Sequence, residues 1–386
     1  KKAMDMASIT DNTVFDNPDE ASRDDKGKLT GLLKEGAQAK ILSGFILSRD
    51  ECKRAFQCGQ ELLHKHGITS IHDMGEGVDN FGRNVLQDEI ANKNVKLRTY
   101  TLFTGLASRE DGLGVARKLL TVGPHTGIGD EWYRMGPIKL LMDGSTSGPS
   151  CYMKGPYSHD SRLKGLQNFP DQQEVNKLFL EACRQGFQVT AHAVGDGAVE
   201  QILEAYEYVN DQYPIKGRRF RIEHSGFTSP ENARRIKDME VITVSNPSFV
   251  TINGSDYNRY YGERTKNMFP HKTYQDMGIT EAFGTDSPVT APDPIRSIYG
   301  AVNRKDIKHD ELCGDSQKVD VQYAIKCQTY NGAYASFEED VKGSLEVGKL
   351  ADLAILSDDI LSCDPEEIKN ITVDLTMIDG EVVYQK

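Results

Sequence analysis

Seven short apolar stretches recur along this chain at intervals that fit one architecture. They are ITSIHDMG (68–75), KLRTYTLFTG (96–105), PIKLLMDGS (137–145), FQVTAHAVGD (187–196), RFRIEHS (219–225), VITVSNPSFV (241–250) and ITEAFGTDSP (279–288). Amphipathic stretches such as EVNKLFLEACRQG, AVEQILEAYEYVN and SPENARRIKDM separate most of them. Strand alternating with helix predicts parallel βαβ units. The fold class is therefore α/β, a TIM-type (β/α)8 barrel of which seven strands are visible and the first is missing. Residues 11–40 are polar and turn-rich and read as an extended or loop region. The stretch 145–172 is long for a loop, which marks it as a lid or substrate wall. The barrel extends over residues 1–340. From 341 to 386 the pattern changes to short strands with an Asp379-Gly380 hairpin turn, a small C-terminal β portion.

Composition limits the partners. A formal net charge of −12 excludes a polyanion such as nucleic acid, and no apolar run is long enough to span a bilayer. The seven cysteines are scattered and form no Cys-x-x-Cys, so cytoplasmic free thiols are expected. Asn253 and Asn370 begin glycosylation sequons that read as chance matches. The chain opens KKAMDMASIT, without a targeting pattern, and reads as the middle of a longer protein.

Polar residues gather at the C-terminal ends of the predicted strands, where barrels of this type carry their chemistry. Lys139 shares the parity of Leu141 and Asp143 in an otherwise apolar strand. His192 ends VTAH, Glu223 and His224 end RIEH, and Asp286 ends AFGTD. The intervals of 53, 32 and 62 residues map Lys139, His192, His224 and Asp286 onto barrel strands four, five, six and eight. Singly, each has a bland reading: a lysine whose stem snorkels to water, histidines satisfied in a core, an aspartate starting a turn. Together, at one end of successive strands, they point to a site. Desolvation lowers a lysine's pKa. The neutral amine then adds carbon dioxide and becomes a carbamate, an anion able to bridge two metal ions.

HAVGD, RIEH and GTDSPV in that order, followed by GKLADLAIL, resemble the amidohydrolase superfamily, specifically its YtcJ-like branch with the N-substituted formamide deformylases. The resemblance covers nearly the whole chain. It implies a metal-dependent barrel hydrolase flanked by a β-sandwich made from both chain ends. Lys139 would be the carboxylated bridging lysine. His192 and His224 would hold one divalent metal, and Asp286 would ligate a second and carry the proton. Zinc is the expected ion, one or two per chain, since nitrogen and oxygen donors suit it. His72, Asp143, Tyr152 and Glu223 are expected as substrate contacts or supports, and the 249–262 segment with Tyr157 as a pocket wall.

Two features depart from the family pattern. The His-x-His pair of the family's first strand is not in this chain, so an N-terminal segment of the same protein is an expected partner. Gly197 stands where relatives often carry a basic residue. His64-Lys65-His66 spells His-x-His, but it ends a helix, where residues two apart do not share a face, and it lies at the wrong end of the barrel. The expected activity is hydrolysis of a C–N bond in an amide-, formamide- or carbamate-like small molecule. A truncated or inactive relative acting in binding or regulation is the alternative, and a homo-oligomer is left open. A phosphate-binding barrel would need a glycine-rich turn after strand seven or eight, which is lacking.

Overall fold

The computed structural model describes residues 1–15, 18–42, 47–75, 80–104 and 109–386. The first elements correct the loop assigned to residues 11–40. Strands β1 (Ala21–Arg23) and β2 (Leu29–Leu33) form an antiparallel pair. The residues that read as loop close it: the Asp24 carboxylate accepts from the Lys26 and Lys28 amides, each at 2.9 Å, and Gly27 takes φ +77°. A helix over Glu35–Leu42 follows.

The seven apolar stretches form one parallel sheet: β3 (Ser70–Asp73), β4 (Arg98–Phe103), β5 (Tyr133–Leu141), β6 (Val189–Ala193), β7 (Arg221–His224), β8 (Ile242–Ser245) and β9 (Glu281–Phe283). Their order in the sheet is their order in the chain, and every pairing is parallel. The sheet is strongly curled. Arg221 on β7 reaches across to His72 on β3, Nη1 to Nδ1 at 3.1 Å. Four strand spacings of about 4.8 Å would hold those residues roughly 19 Å apart in a flat sheet. Among the described residues β3 and β9 are edges, so the sheet is a partial barrel of the TIM type.

Helices pack around it because each carries one apolar face. Val175, Leu178, Phe179 and Ala182 of helix Gln172–Arg184 and Ile202, Leu203, Ala205 and Tyr206 of helix Asp196–Gln212 meet the outward residues of β6, Val189, Ala191 and Ala193, in the largest core cluster. The helices start where capping residues permit: Asp171 accepts from the Gln173 amide, and Ser229 before Pro230 accepts from Asn232. Strands β10 (Lys305–Asp306) and β11 (Glu311–Leu312) make a short antiparallel pair after helix Pro294–Asn303.

The C-terminal residues form an antiparallel sheet of β12 (Leu353–Leu356), β13 (Val373–Ile378) and β14 (Glu381–Gln385). Asp379 at φ +54° and Gly380 at φ +77° give the tight turn expected between the last two. This sheet is tied to the barrel's N-terminal end. Thr376 Oγ1 donates to the His64 carbonyl at 2.6 Å, and the His64 ring meets the Lys96 carbonyl at 2.8 Å, so His64 is structural. The fully buried Arg98 guanidinium grips Asp352 in two-pronged fashion, at 2.6 and 3.0 Å, and lies 4.3 Å over the Trp132 ring. Removing one partner of such a pair strands a buried charge. Asp352→Ala is expected to cost about 3 kcal/mol in denaturant unfolding, with Asp352→Glu much milder; equal midpoints for Asp352→Ala and wild type would refute this role for the pair.

Candidate metal centre

Lys139, Thr190, His192, Arg221 and Glu223 share the inner face of the sheet. Lys139 pairs in register with Thr190, Thr190 with Arg221, and His192 with Glu223. Lys139 is 2% exposed. Arg221 and Glu223, both buried, form an ion pair at 2.9 Å, and Thr190 Oγ1 donates to the same carboxylate at 2.7 Å. Burial alone would raise the Glu223 pKa; Arg221 and Lys139 outweigh it, hold the carboxyl below its ordinary value and keep it ionised.

His224 follows Glu223 directly, so regular strand geometry would point it outward. The backbone instead turns left-handed at His224 (φ +70°) and Ser225 (φ +47°). Non-glycine residues occupy that region at a cost. Here it brings the ring to 4.5 Å from that of His192, centroid to centroid. Asn246 fixes the tautomer of His224. Its amide nitrogen donates to the Gly284 carbonyl at 3.0 Å, which turns its oxygen toward His224 Nδ1 at 2.7 Å. Nδ1 therefore carries the proton and Nε2 keeps a lone pair. Burial, with His192 and Lys139 beside it, lowers the His224 pKa to about 3, so the ring is neutral.

His192 is oriented through its other nitrogen. Nε2 lies 3.0 Å from the Gly144 carbonyl and 3.3 Å from Asp143 Oδ1, and among the described residues no hydrogen-bond partner occupies Nδ1, which is left to a ligand. Burial opposes its protonation, and the Asp143 carboxylate overcomes that and raises its pKa. Asp143 does more than orient a ring. Its oxygens accept the Val194, Gly195 and Tyr152 amides at 3.0, 2.8 and 2.9 Å. One buried carboxylate thus joins the end of β6 to the long connection before helix Gln172–Arg184.

Tyr152 is held by that clamp against two glycines. A Cβ on Gly195 would fall 1.9 Å from the Tyr152 carbonyl oxygen, and one on Gly197 would fall 2.6 Å from its ring. The glycine at 197 therefore has a local cause, since the tyrosine occupies the space of any larger residue. Farther along, Tyr261 donates to the Thr146 carbonyl at 2.7 Å, and its ring lies 5.5 Å from that of Tyr157. Segment 249–262 is mostly helix Ser248–Tyr261, and Phe249 stacks on His224 at 6.1 Å.

Not every expected residue joins this group. His72 lies on the inner face of β3 but accepts from Arg221, 5.2 Å from the Tyr100 ring; burial, then Arg221, keep it neutral. Asp286 sits three residues beyond β9 at the same end of the sheet, with φ +55°. The His64–His66 pair stays with its helix terminus, away from this end. Among the described residues no group of three or more His, Cys, Asp or Glu is placed to hold a metal ion. Two contributors escaped the sequence reading. Arg221 shares its parity with Glu223, a signal that was available. Asn246 ends β8 as the other polar residues end theirs.

The model of the amidohydrolase family matches residues 1–384. The chain belongs to that family. It is 28% identical to YtcJ of Bacillus subtilis (strain 168) over its whole length and 71% of that protein. It is 28% identical to the N-substituted formamide deformylase of Arthrobacter pascens over 66% of this chain and 46% of that enzyme, so it spans less than half the deformylase's length. The fold is that of an uncharacterized metal-dependent hydrolase from Pyrococcus horikoshii (TM-score 0.73, 23% identity, 95% of this chain and 70% of that one). In this family member the Asp143 clamp should matter for more than one ring. Charge-assisted hydrogen bonds contribute about 1.5–3 kcal/mol each. Asp143→Ala is expected to lower stability by about that much in denaturant unfolding and to speed proteolytic cleavage between residues 152 and 165. Unchanged cleavage would refute the clamp.

Proposed function

We propose that this barrel hydrolyses the C–N bond of an amide-, formamide- or carbamate-like small molecule with a bound divalent cation. The observation that carries the reading is the facing pair His192 and His224, 4.5 Å apart, each with one nitrogen engaged by the protein. Family membership and the similarity to a formamide deformylase support the reaction class.

The donor set fits such an ion in part. His192 through Nδ1 and His224 through Nε2 would hold it, and zinc suits two imidazoles. Lys139 as an ammonium would repel it; carboxylated, it becomes the third donor. In that reaction the amine nitrogen forms a bond to the carbon of carbon dioxide and releases a proton. The inner face would then carry Arg221 as cation with Glu223 and the carbamate as anions, and a divalent ion offsets that excess. The ion's contribution is Lewis acidity, which polarises a carbonyl and acidifies water.

The chain's own groups do the rest. Asp286 takes the proton of the attacking water and delivers it to the leaving nitrogen. Glu223, pinned by Arg221 and Thr190, fixes the charge around Lys139. Tyr152 and the connection it belongs to wall the substrate. An N-terminal segment bearing His-x-His would complete a second metal position.

Metal per chain by plasma mass spectrometry, with hydrolysis of an N-substituted formamide, tests the reading. Lys139→Ala, His192→Ala and His224→Ala are each expected to lower bound metal and activity by at least the roughly 100-fold that even outer-shell changes reach. Activity that survives all three substitutions, or is indifferent to chelators, would overturn the assignment. A chain without metal or turnover that keeps a small-molecule ligand after these changes would be a binding or regulatory relative.

A further inference from the structure

At the opposite end of the barrel, where strands β5, β6 and β7 begin, lies a cleft of about 370 Å³. Three of its wall positions are glycines with left-handed backbone, Gly127 (φ +97°), Gly186 (φ +85°) and Gly217 (φ +76°), so main chain forms much of the surface. Phe187 lies beneath it in the core, and Phe337, 37% exposed, lines it.

Arg134 and Arg218 line it, and among the described residues no aspartate or glutamate does. Four other arginines of this acidic chain, Arg98, Arg219, Arg221 and Arg235, each bond a carboxylate, whereas Arg304 is held by main-chain carbonyls alone. Among the described residues, Arg134 bonds only the Gly127 carbonyl, through Nε at 3.4 Å. Arg218 bonds the Pro214 and Cys183 carbonyls, at 3.1 and 3.4 Å, and lies 4.5 Å over the Tyr213 ring. The other polar side chains of the lining are already committed. Thr126 Oγ1 donates to Gly136 and accepts from Gln188 N, while the Gln188 amide serves the Arg219 and Ala335 carbonyls and Tyr100.

We propose that this cleft is a binding site for a small organic anion, with its carboxylate or phosphate between Arg134 and Arg218 and its apolar body against Phe337. The planar guanidinium fork matches either anionic group. The glycine walls give room, and the exposed Phe337 ring favours a ligand with an aromatic or aliphatic body over a bare ion. The site is separate from the strand ends that carry His192 and His224, and it stands whether or not the hydrolase reading does.

Calorimetric titration of the full chain at low salt with benzoate and with inorganic phosphate tests it. Benzoate is expected to bind saturably and more tightly than phosphate. Arg134→Gln and Arg218→Gln should each weaken benzoate roughly tenfold. Phe337→Ala should weaken benzoate and leave phosphate unchanged, while His192→Asn should leave both unchanged. Arg134→Lys keeps the charge but lacks the fork, and should also lose affinity with an unaltered melting temperature. Tighter phosphate than benzoate binding would refute the apolar seat. Absence of saturable binding at millimolar anion, or binding indifferent to both arginine changes, would overturn the proposal.

Discussion

The ion pair between Arg221 and Glu223 is the contact on which the barrel's interior depends. It lies on the inner face of a curled parallel sheet, out of reach of water, and the same guanidinium reaches His72 on the far side. A lone buried charge there would be prohibitive. With Glu223 ionised between Arg221 and Lys139, the interior can hold a lysine that an apolar barrel would exclude. The lysine in turn lowers the proton affinity of His224 and opposes that of His192. Curvature, buried charge and the neutral imidazole of His224 are thus parts of one arrangement.

Backbone conformation decides the rest of the geometry. Strand parity alone would place Glu223 and His224 on opposite faces. The left-handed turn at His224 and Ser225 lets two consecutive residues serve the same interior. Asp286 lies just beyond β9 in the same unusual region of φ. At the end of β6, the Asp143 carboxylate does comparable work through hydrogen bonds, since it captures two amides of the strand end and one of the long connection.

Much of this was legible from the sequence. Six of the seven strands fall within the apolar stretches and β5 begins four residues earlier, at Tyr133, because a strand buried on both faces leaves a continuous apolar signal. Lys139, His192 and Glu223 were visible as polar interruptions with the right parity. The hairpin at residues 21–33 was missed because its strands are short and its polar turn dominates the local composition. His72 was expected as a substrate contact or support, but its partner, Arg221, is about 150 residues away, and pattern reading does not join such positions. Asn246 was passed over because asparagine at a strand end also signals an ordinary turn.

The packing of Tyr152 against Gly195 and Gly197 has a consequence for divergence among relatives. The wall beside His192 is sealed from the helix side, since Gly195 and Gly197, which follow β6, have no space to grow a side chain. Remodelling of the space beside His192 is therefore left to the connection between β5 and the next helix, a stretch held by the Asp143 carboxylate, by Tyr261 and by Arg264. Selection can rewrite that single contiguous segment while the strand-borne groups stay fixed, so a change of ligand preference need not disturb the scaffold.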